Sequence, residues 1–316
     1  MGSLDPEIKK AIEVFEQKLQ DFGLSDFHSG GVDPARAFYR SLTPPIENNP
    51  SIYRVEDRKI DGPDGEIPIR VYFPTEGTNL PALVWFHGGG WVIGNLDTAD
   101  YNCRKMANDY QCVVVSVDYR LAPEVPFPGA LDDCYAATEW VFAHPGEIGI
   151  DVKKIAVGGD SAGGNLASAV ALRSRDNGLA VGFQLLIYPV IEADFDNSSY
   201  LENANGYLLT RDAMTFYWDC YVPDEDERKN PFVSPLHAKS LSGLPPAFII
   251  SAEFDPLQDE AERYARVLKA AGIDVETKRY DGMIHGFFNM LTDEPVNEIV
   301  LASKDSANAF RRALDG

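Results

Sequence analysis

The chain is poor in the residues that hold small or metal-bound domains together. Four cysteines, Cys103, Cys112, Cys134 and Cys220, are spread over 316 residues. They form no C-x-x-C pair and no cluster with histidine, which excludes a disulfide framework and a structural zinc site and leaves reduced, buried thiols. Positive charge is scarce: 28 Lys and Arg stand against 49 Asp and Glu, a formal net charge of −21. Such a field repels phosphate backbones and anionic lipid heads, so nucleic acid and membrane partners are not expected, and the excess charge reads as a solvated, self-repelling surface. Long apolar runs are missing too. Nothing approaches the roughly eighteen uninterrupted residues of a membrane span, and Met1 to Lys10 lacks the basic start and apolar run of a secretory signal, so the expected location is cytoplasmic. There is no internal repeat and no low-complexity tract, while 45% of the residues are hydrophobic, enough for one large core.

What is present has a rhythm. Ile8, Ala11, Ile12, Phe15 and Leu19 recur at helical spacing, so the first twenty residues read as an amphipathic helix resting on something larger, followed by a Gly- and Pro-containing loop to about Pro50. From there β-rich runs follow in order: Ile67 to Phe73, Ala82 to Phe86, Cys112 to Val117, Ile155 to Gly158, Phe183 to Tyr188, Ala247 to Ser251 and Val275 to Tyr280. Runs such as Val113-Val114-Val115 suit strands buried on both faces, and the later intervals are long enough for crossover helices, which predicts an α/β fold with a mostly parallel, doubly wound sheet. The interval between Pro189 and Pro245 breaks the rhythm. There Met214, Tyr217, Trp218 and Tyr221 share one helical face, which either packs on its own core or forms part of a helical cap. The expected division is an N-terminal cap segment, 1–50, and a catalytic domain, 51–316, with an inserted cap segment at about 191–229.

The chemistry concentrates at three places. Gly159-Asp160-Ser161-Ala162-Gly163 follows the run Ile155 to Gly158 and opens a helix-compatible stretch; a G-x-S-x-G at a strand-to-helix turn exposes the serine hydroxyl on a strained corner. His87-Gly88-Gly89-Gly90-Trp91 follows the run Ala82 to Phe86, where glycines let backbone N–H groups point into a cavity, as stabilising an oxyanion requires. Gly88 and Gly89, with the N–H of Ala162, are the expected donors. His87 itself reads as a structural residue that holds the loop by hydrogen bonds.

A serine hydroxyl needs a base, and the base needs an acid to fix its tautomer. Of the five histidines, His285 follows the last strand-like run directly, whereas His28, His144 and His237 lie in loops and turns. For the acid, Asp255 lies just past the run Ala247 to Ser251, at the end of a strand where α/β sheets gather ligand-facing groups. Glu253, Asp259 and Glu260 are rivals, the last two placed where a helix's first turn ordinarily carries acids. The chain order Ser161, Asp255, His285 is the one expected of α/β-hydrolases.

Taken together these motifs resemble the hormone-sensitive-lipase-like esterases, also called bacterial esterase family IV. The resemblance spans roughly residues 50 to 315 and rests on His87 to Gly90, Asp118-Tyr119-Arg120-Leu121-Ala122-Pro123-Glu124, Gly159 to Gly163, Asp255-Pro256-Leu257 with Asp259-Glu260, and His285-Gly286-Phe287. The variant with Asp160 beside the nucleophile is similar to the subgroup with an acid there. The resemblance implies an α/β-hydrolase core with a helical cap, and hydrolysis of small-molecule esters of short to medium acyl chain by a Ser161–His285–Asp255 acyl-enzyme mechanism. It implies no metal and no organic cofactor. Members resembling this family bind plant hormones without hydrolysis, but those lack the histidine base, and amide cleavage is the nearer rival because the same triad attacks amides. Oligomeric state is not readable, and a homodimer stays open.

Overall fold

Eight strands form one sheet in the order β1-β2-β4-β3-β5-β6-β7-β8. The structure, a computed structural model, describes residues 2–315. The strands are β1 (Arg54–Gly62), β2 (Gly65–Phe73), β3 (Leu80–Phe86), β4 (Val113–Val117), β5 (Ile150–Asp160), β6 (Phe183–Ile187), β7 (Ala247–Phe254) and β8 (Val275–Ile284). β1 pairs with β2 and β2 with β4 antiparallel, and every pairing from β4 through β8 is parallel. This is the α/β-hydrolase architecture, and all seven expected β-runs are strands in it.

Two differences have plain physical reasons. β1 escapes the sequence reading because it is an outer, solvent-washed strand, Arg-Val-Glu-Asp-Arg-Lys-Ile-Asp-Gly, in which Ile60 alone is buried. The segment expected as a loop up to about Pro50 contains a second helix, α2 (Val32–Ser41), which begins after Gly31 at φ 83° and buries only Ala35 and Phe38. Two anchors in ten residues are too few to stand out as a period.

Alternation within each strand divides the core. Ala82, Val84 and Phe86 of β3 face one side of the sheet, with α4 (Gly129–Ala143), α6 (Ala162–Asp176) and α9 (Gln258–Ala270). Leu83 and Trp85 face the other, with α3 (Leu96–Tyr110) and α10 (Asn297–Asp315). Burial on both faces is why the central strands read as continuous apolar runs; all five residues of β4 are buried. A short α5 (Pro145–Ile148) leads into β5. The first helix, α1 (Pro6–Asp21), is capped by Asp5, whose carboxylate accepts the N–H groups of Glu7 and Ile8. Between β6 and β7 lie α7 (Ser198–Glu202) and α8 (Arg211–Tyr221).

The aromatic face of α8 divides between core and cavity. Trp218 and Tyr221 pack on Trp91, with ring centroids 5.0 and 4.3 Å apart, while Met214 and Tyr217 line a cavity at the carboxyl ends of the strands. All four cysteines are free, and three are fully buried. Among the described residues no helix is long and apolar enough to cross a membrane.

Of the described glycines, Gly163 leaves the least room for a side chain and Gly159 little more, where the β5–α6 turn meets the end of β3. A Cβ on Gly163 would lie 1.9 Å from the carbonyl oxygen of Phe86, and one on Gly159 would lie 2.2 Å from that of Gly163. Gly163→Ala should therefore destabilise the chain by more than about 3 kcal/mol, because backbone must move to admit it. Gly146→Ala, where nothing lies within 4 Å, should stay within about 0.5 kcal/mol of the parent. Urea midpoints of the two variants against the parent make the comparison.

Candidate active site

β5 ends at Asp160, and the chain turns into α6 through Ser161 at φ 56°, ψ −120°. That conformation is costly for a residue with a side chain. It is held by hydrogen bonds from Ser161 N–H to the Ile187 carbonyl (2.9 Å) and from Val190 N–H to the Ser161 carbonyl (3.2 Å). β8 ends at Ile284, so His285 lies in the next turn, and Asp255 follows the last residue of β7. Three separate strand ends thus converge. His285 Nε2 is 2.9 Å from Ser161 Oγ, and His285 Nδ1 is 2.8 Å from Asp255 Oδ2.

Asp255 is 0% exposed, and its other oxygen accepts the N–H of Leu257 at 2.8 Å. The rival acids are engaged elsewhere. Glu253 accepts the N–H groups of Gly2 and Gly282, Asp259 that of Ser199, and Glu260 that of Ile191. Burial pushes the Glu260 carboxyl well above the usual carboxylate range. Two of the other histidines are occupied locally: His28 lies 3.0 Å from Asp26, and His144 meets the carbonyl of Trp140 at 2.8 Å; His237 ends a short turn, Pro235–His237, and does not line the cavity.

The glycine turn after β3 requires one correction. Gly88, expected as an oxyanion donor, already gives its N–H to Asp160 Oδ1 at 3.0 Å. A donor committed to a carboxylate is not free for an oxyanion. Gly89 and Gly90, at φ 118° and 57°, carry N–H groups with no acceptor among the described residues, as does Ala162, the first residue of α6. The donor set the geometry leaves open is Gly89, Gly90 and Ala162.

His87 braces this turn. Its Nδ1 meets the Gly88 carbonyl at 2.7 Å, and its ring stacks on Tyr119 with centroids 4.3 Å apart. The Tyr119 hydroxyl donates to the His87 carbonyl at 2.7 Å. Burial lowers the His87 pKa to about 4, so the ring is neutral at working pH. Ala122 N–H donates to the Trp91 carbonyl at 2.9 Å, so the stretch Asp118 to Glu124 supports the turn from behind.

Sequence reasoning passed over two residues. Asp160 stood out only as a subgroup mark, yet its carboxylate links the glycine turn through Gly88 to the loop after His285 through Asn289 Nδ2, 2.9 Å away. It is 7% exposed. Burial, its largest influence, raises its pKa from 3.8 to about 6, although the Gly88 N–H and the nearby His285 favour the charged form. Asn289, four residues past His285, carried no signal at all, because only the fold brings it to Asp160.

Ser161, His285 and the turn Gly88 to Gly90 open on a cavity of about 540 Å³. Its far walls come from α1, α2 and α8, including Phe15, Tyr39 and Met214. The site is therefore a hydroxyl hydrogen-bonded to an imidazole, backed by a buried carboxylate and faced by unengaged N–H donors. It can perform acyl transfer.

Comparison with known proteins points the same way. The family described as alpha/beta hydrolase fold matches residues 83–289. Carboxylesterase NlhH of Mycobacterium tuberculosis is 44% identical over 308 residues, covering 95% of each chain. A hyperthermophilic esterase from the archaeon Pyrobaculum calidifontis superposes with a TM-score of 0.90 at 39% identity, covering 98% of each chain. A thermostable esterase from Pseudomonas putida reaches a TM-score of 0.92 at 36% identity, covering 99% of this chain and 98% of that one.

The raised pKa of Asp160 has a sign that can be tested. Its neutral form is favoured by folding, so the stability this group contributes is full below about pH 3.8 and is lost as the pH rises through about 6. Asp160→Asn cannot titrate. Relative to wild type it should gain about 1 kcal/mol between about pH 5 and about pH 7.5, read from urea unfolding at both pH values. A pH-independent difference would show that Asp160 does not titrate in this window.

Proposed function

The chain belongs to the alpha/beta hydrolase fold family, in its hormone-sensitive-lipase-like branch, and is a carboxylesterase; from that premise we propose a Ser161–His285–Asp255 acyl-enzyme mechanism acting on esters of short to medium acyl chain. The observation that carries the mechanism is the continuous line from Asp255 Oδ2 through His285 to Ser161 Oγ, with hydrogen bonds of 2.8 and 2.9 Å.

With Asp255 as acceptor, His285 holds its proton on Nδ1 and turns the Nε2 lone pair to the serine hydroxyl. Nε2 takes the Ser161 proton as Oγ attacks the ester carbonyl. The carbonyl oxygen becomes an oxyanion, which the N–H groups of Gly89, Gly90 and Ala162 receive. Each such donor is worth about 3 kcal/mol in related chemistry, on the order of a hundredfold in rate. The tetrahedral species collapses, and the His285 imidazolium gives its proton to the leaving alkoxide. Water, deprotonated by the same Nε2, then attacks the acyl-serine and releases the acid through a second oxyanion.

The neutral His87 and the strut from Asp160 act on geometry. They keep the glycine turn and the loop after His285 in register with Ser161, and geometry of this kind sets how much of the barrier alignment removes. Asp255 has the position an orienting acid needs, while Glu253 is bound to Gly2 near the N-terminus and to Gly282.

The chain-length preference rests on the cavity's limited volume, about 540 Å³. Each methylene buried adds roughly 0.8 kcal/mol until the cavity is full, and longer chains must then protrude. The −21 charge opposes docking on anionic interfaces.

Ser161→Ala should abolish turnover of p-nitrophenyl esters while the protein stays folded. Asp255→Asn should lower kcat on the order of 10⁴-fold, and Glu253→Gln far less. The reverse ranking would move the acid to Glu253. Across acetate to palmitate esters, kcat/KM should rise and then fall; an optimum at palmitate, or a jump in rate when a triglyceride emulsion forms, would contradict the short-to-medium reading.

A further inference from the structure

Two helices reach into the catalytic cavity with phenols that acyl transfer does not use. Tyr39 on α2 and Tyr217 on α8 line it in the company of Phe15, Phe27, Leu209 and Met214. Among the described residues neither hydroxyl has a hydrogen-bond partner, and neither is fully buried as the partnerless hydroxyls of Tyr200 and Tyr221 are.

Both phenols are fixed in place. Arg36, one turn before Tyr39, staples α2 to the core: its Nε donates to the Val92 carbonyl at 2.8 Å, one terminal nitrogen donates to the Ala122 carbonyl at 3.0 Å, and the guanidinium grips both oxygens of Glu124. The Tyr217 ring lies so close to the glycine turn that a Cβ on Gly90 would be 2.3 Å from its Cγ. A hydroxyl on a held ring loses little entropy when it bonds a ligand. Burial raises the pKa of both groups, helped by Asp160 at Tyr39 and by Tyr39 at Tyr217. Each therefore stays a protonated donor across the working pH range.

The consequence concerns what fills the cavity. A hydrocarbon chain that displaces water from these hydroxyls leaves them unpaired, and an unpaired buried donor costs free energy that a chain with an acceptor oxygen recovers. We propose that Tyr39 and Tyr217 are specificity-determining residues that favour esters carrying an ether or carbonyl oxygen in the chain occupying the cavity over hydrocarbon esters of equal length. This rests on the esterase reading of the same site and adds a polar criterion to its chain-length limit.

The test uses ester pairs matched in length, differing by one methylene exchanged for oxygen far enough from the carbonyl to leave its reactivity little changed. On the acyl side the pair is p-nitrophenyl 4-methoxybutanoate and p-nitrophenyl hexanoate. On the alcohol side it is 2-methoxyethyl butanoate and butyl butanoate, followed by proton release. The readout is the ratio of kcat/KM within each pair, which a general loss of folded enzyme does not move. Replacing both residues, Tyr39→Phe with Tyr217→Phe, should lower the ether-to-hydrocarbon ratio by about 3- to 10-fold on at least one pair, the size of one net hydrogen bond. Ratios that stay within about twofold of wild type on both pairs, with all four esters hydrolysed, would overturn the proposal. A wild-type protein that cleaves none of the four would instead overturn the esterase reading, and this proposal with it.

Discussion

The site depends on one close approach of backbone to backbone, where the β5–α6 turn is pressed against the end of β3. Gly159 and Gly163 leave no room for side chains between Phe86 and the turn, and Ser161 is held at φ 56° by backbone hydrogen bonds to Ile187 at the end of β6 and to Val190 just beyond it. That contact does two things at once. It raises the Ser161 hydroxyl out of the sheet, and it brings the chain leaving β3, the turn from His87 to Gly90, onto the same cavity. The strain at Ser161 persists because the packed strands around it leave no relaxed alternative.

A chain with such an excess of acid must still bury some carboxylates, and each is answered in a different way. Asp255 is matched to His285 and to the Leu257 N–H. Asp133 meets Arg120 through both oxygens. Asp160 and Glu260 have only neutral donors, Gly88 and Asn289 for the first and Ile191 for the second, and both have raised pKa values. Neutral donors offset burial less completely than a charge does. At the site this leaves two buried carboxylates: Asp255 beside the His285 imidazole, and Asp160, its pKa raised by burial, tying the glycine turn to the loop after His285.

The outer wall of the cavity is assembled from segments far apart in the chain, and it is fastened to the glycine turn after β3. Arg36 connects α2 to Val92 and Ala122, and Trp91, the residue after the three glycines, is stacked on Tyr221 of α8. Both helices therefore bear on the same turn that presents Gly89 and Gly90. Through these contacts α2 and α8 are tied to the glycine turn and to each other.

The sequence by itself determined the class of fold and the identities of nucleophile, base and acid expected for it. Runs such as Val113 to Val115 report burial on two faces directly, and G-x-S-x-G, H-G-G-G and the histidine after the last strand mark turns whose residue types are forced locally. Strand β1 and helix α2 were not legible, because an outer strand with one buried residue and a helix with two leave no period in the sequence. Only the tertiary structure decided which glycines are free. Gly88 and Gly89 are equivalent as letters, and Gly88 is withdrawn by a carboxylate 72 positions away. It alone decided that Glu253, two residues from Asp255, bonds Gly2 and Gly282 instead: simple alternation puts residues two apart on one face, but the pairing of β7 with β8 shifts register between Ala252 and Phe254. It also decided that Tyr39 and Tyr217 share a cavity with Ser161. Local sequence dictates backbone conformation and burial, but hydrogen-bond partners are set by which distant segments the packed sheet brings together.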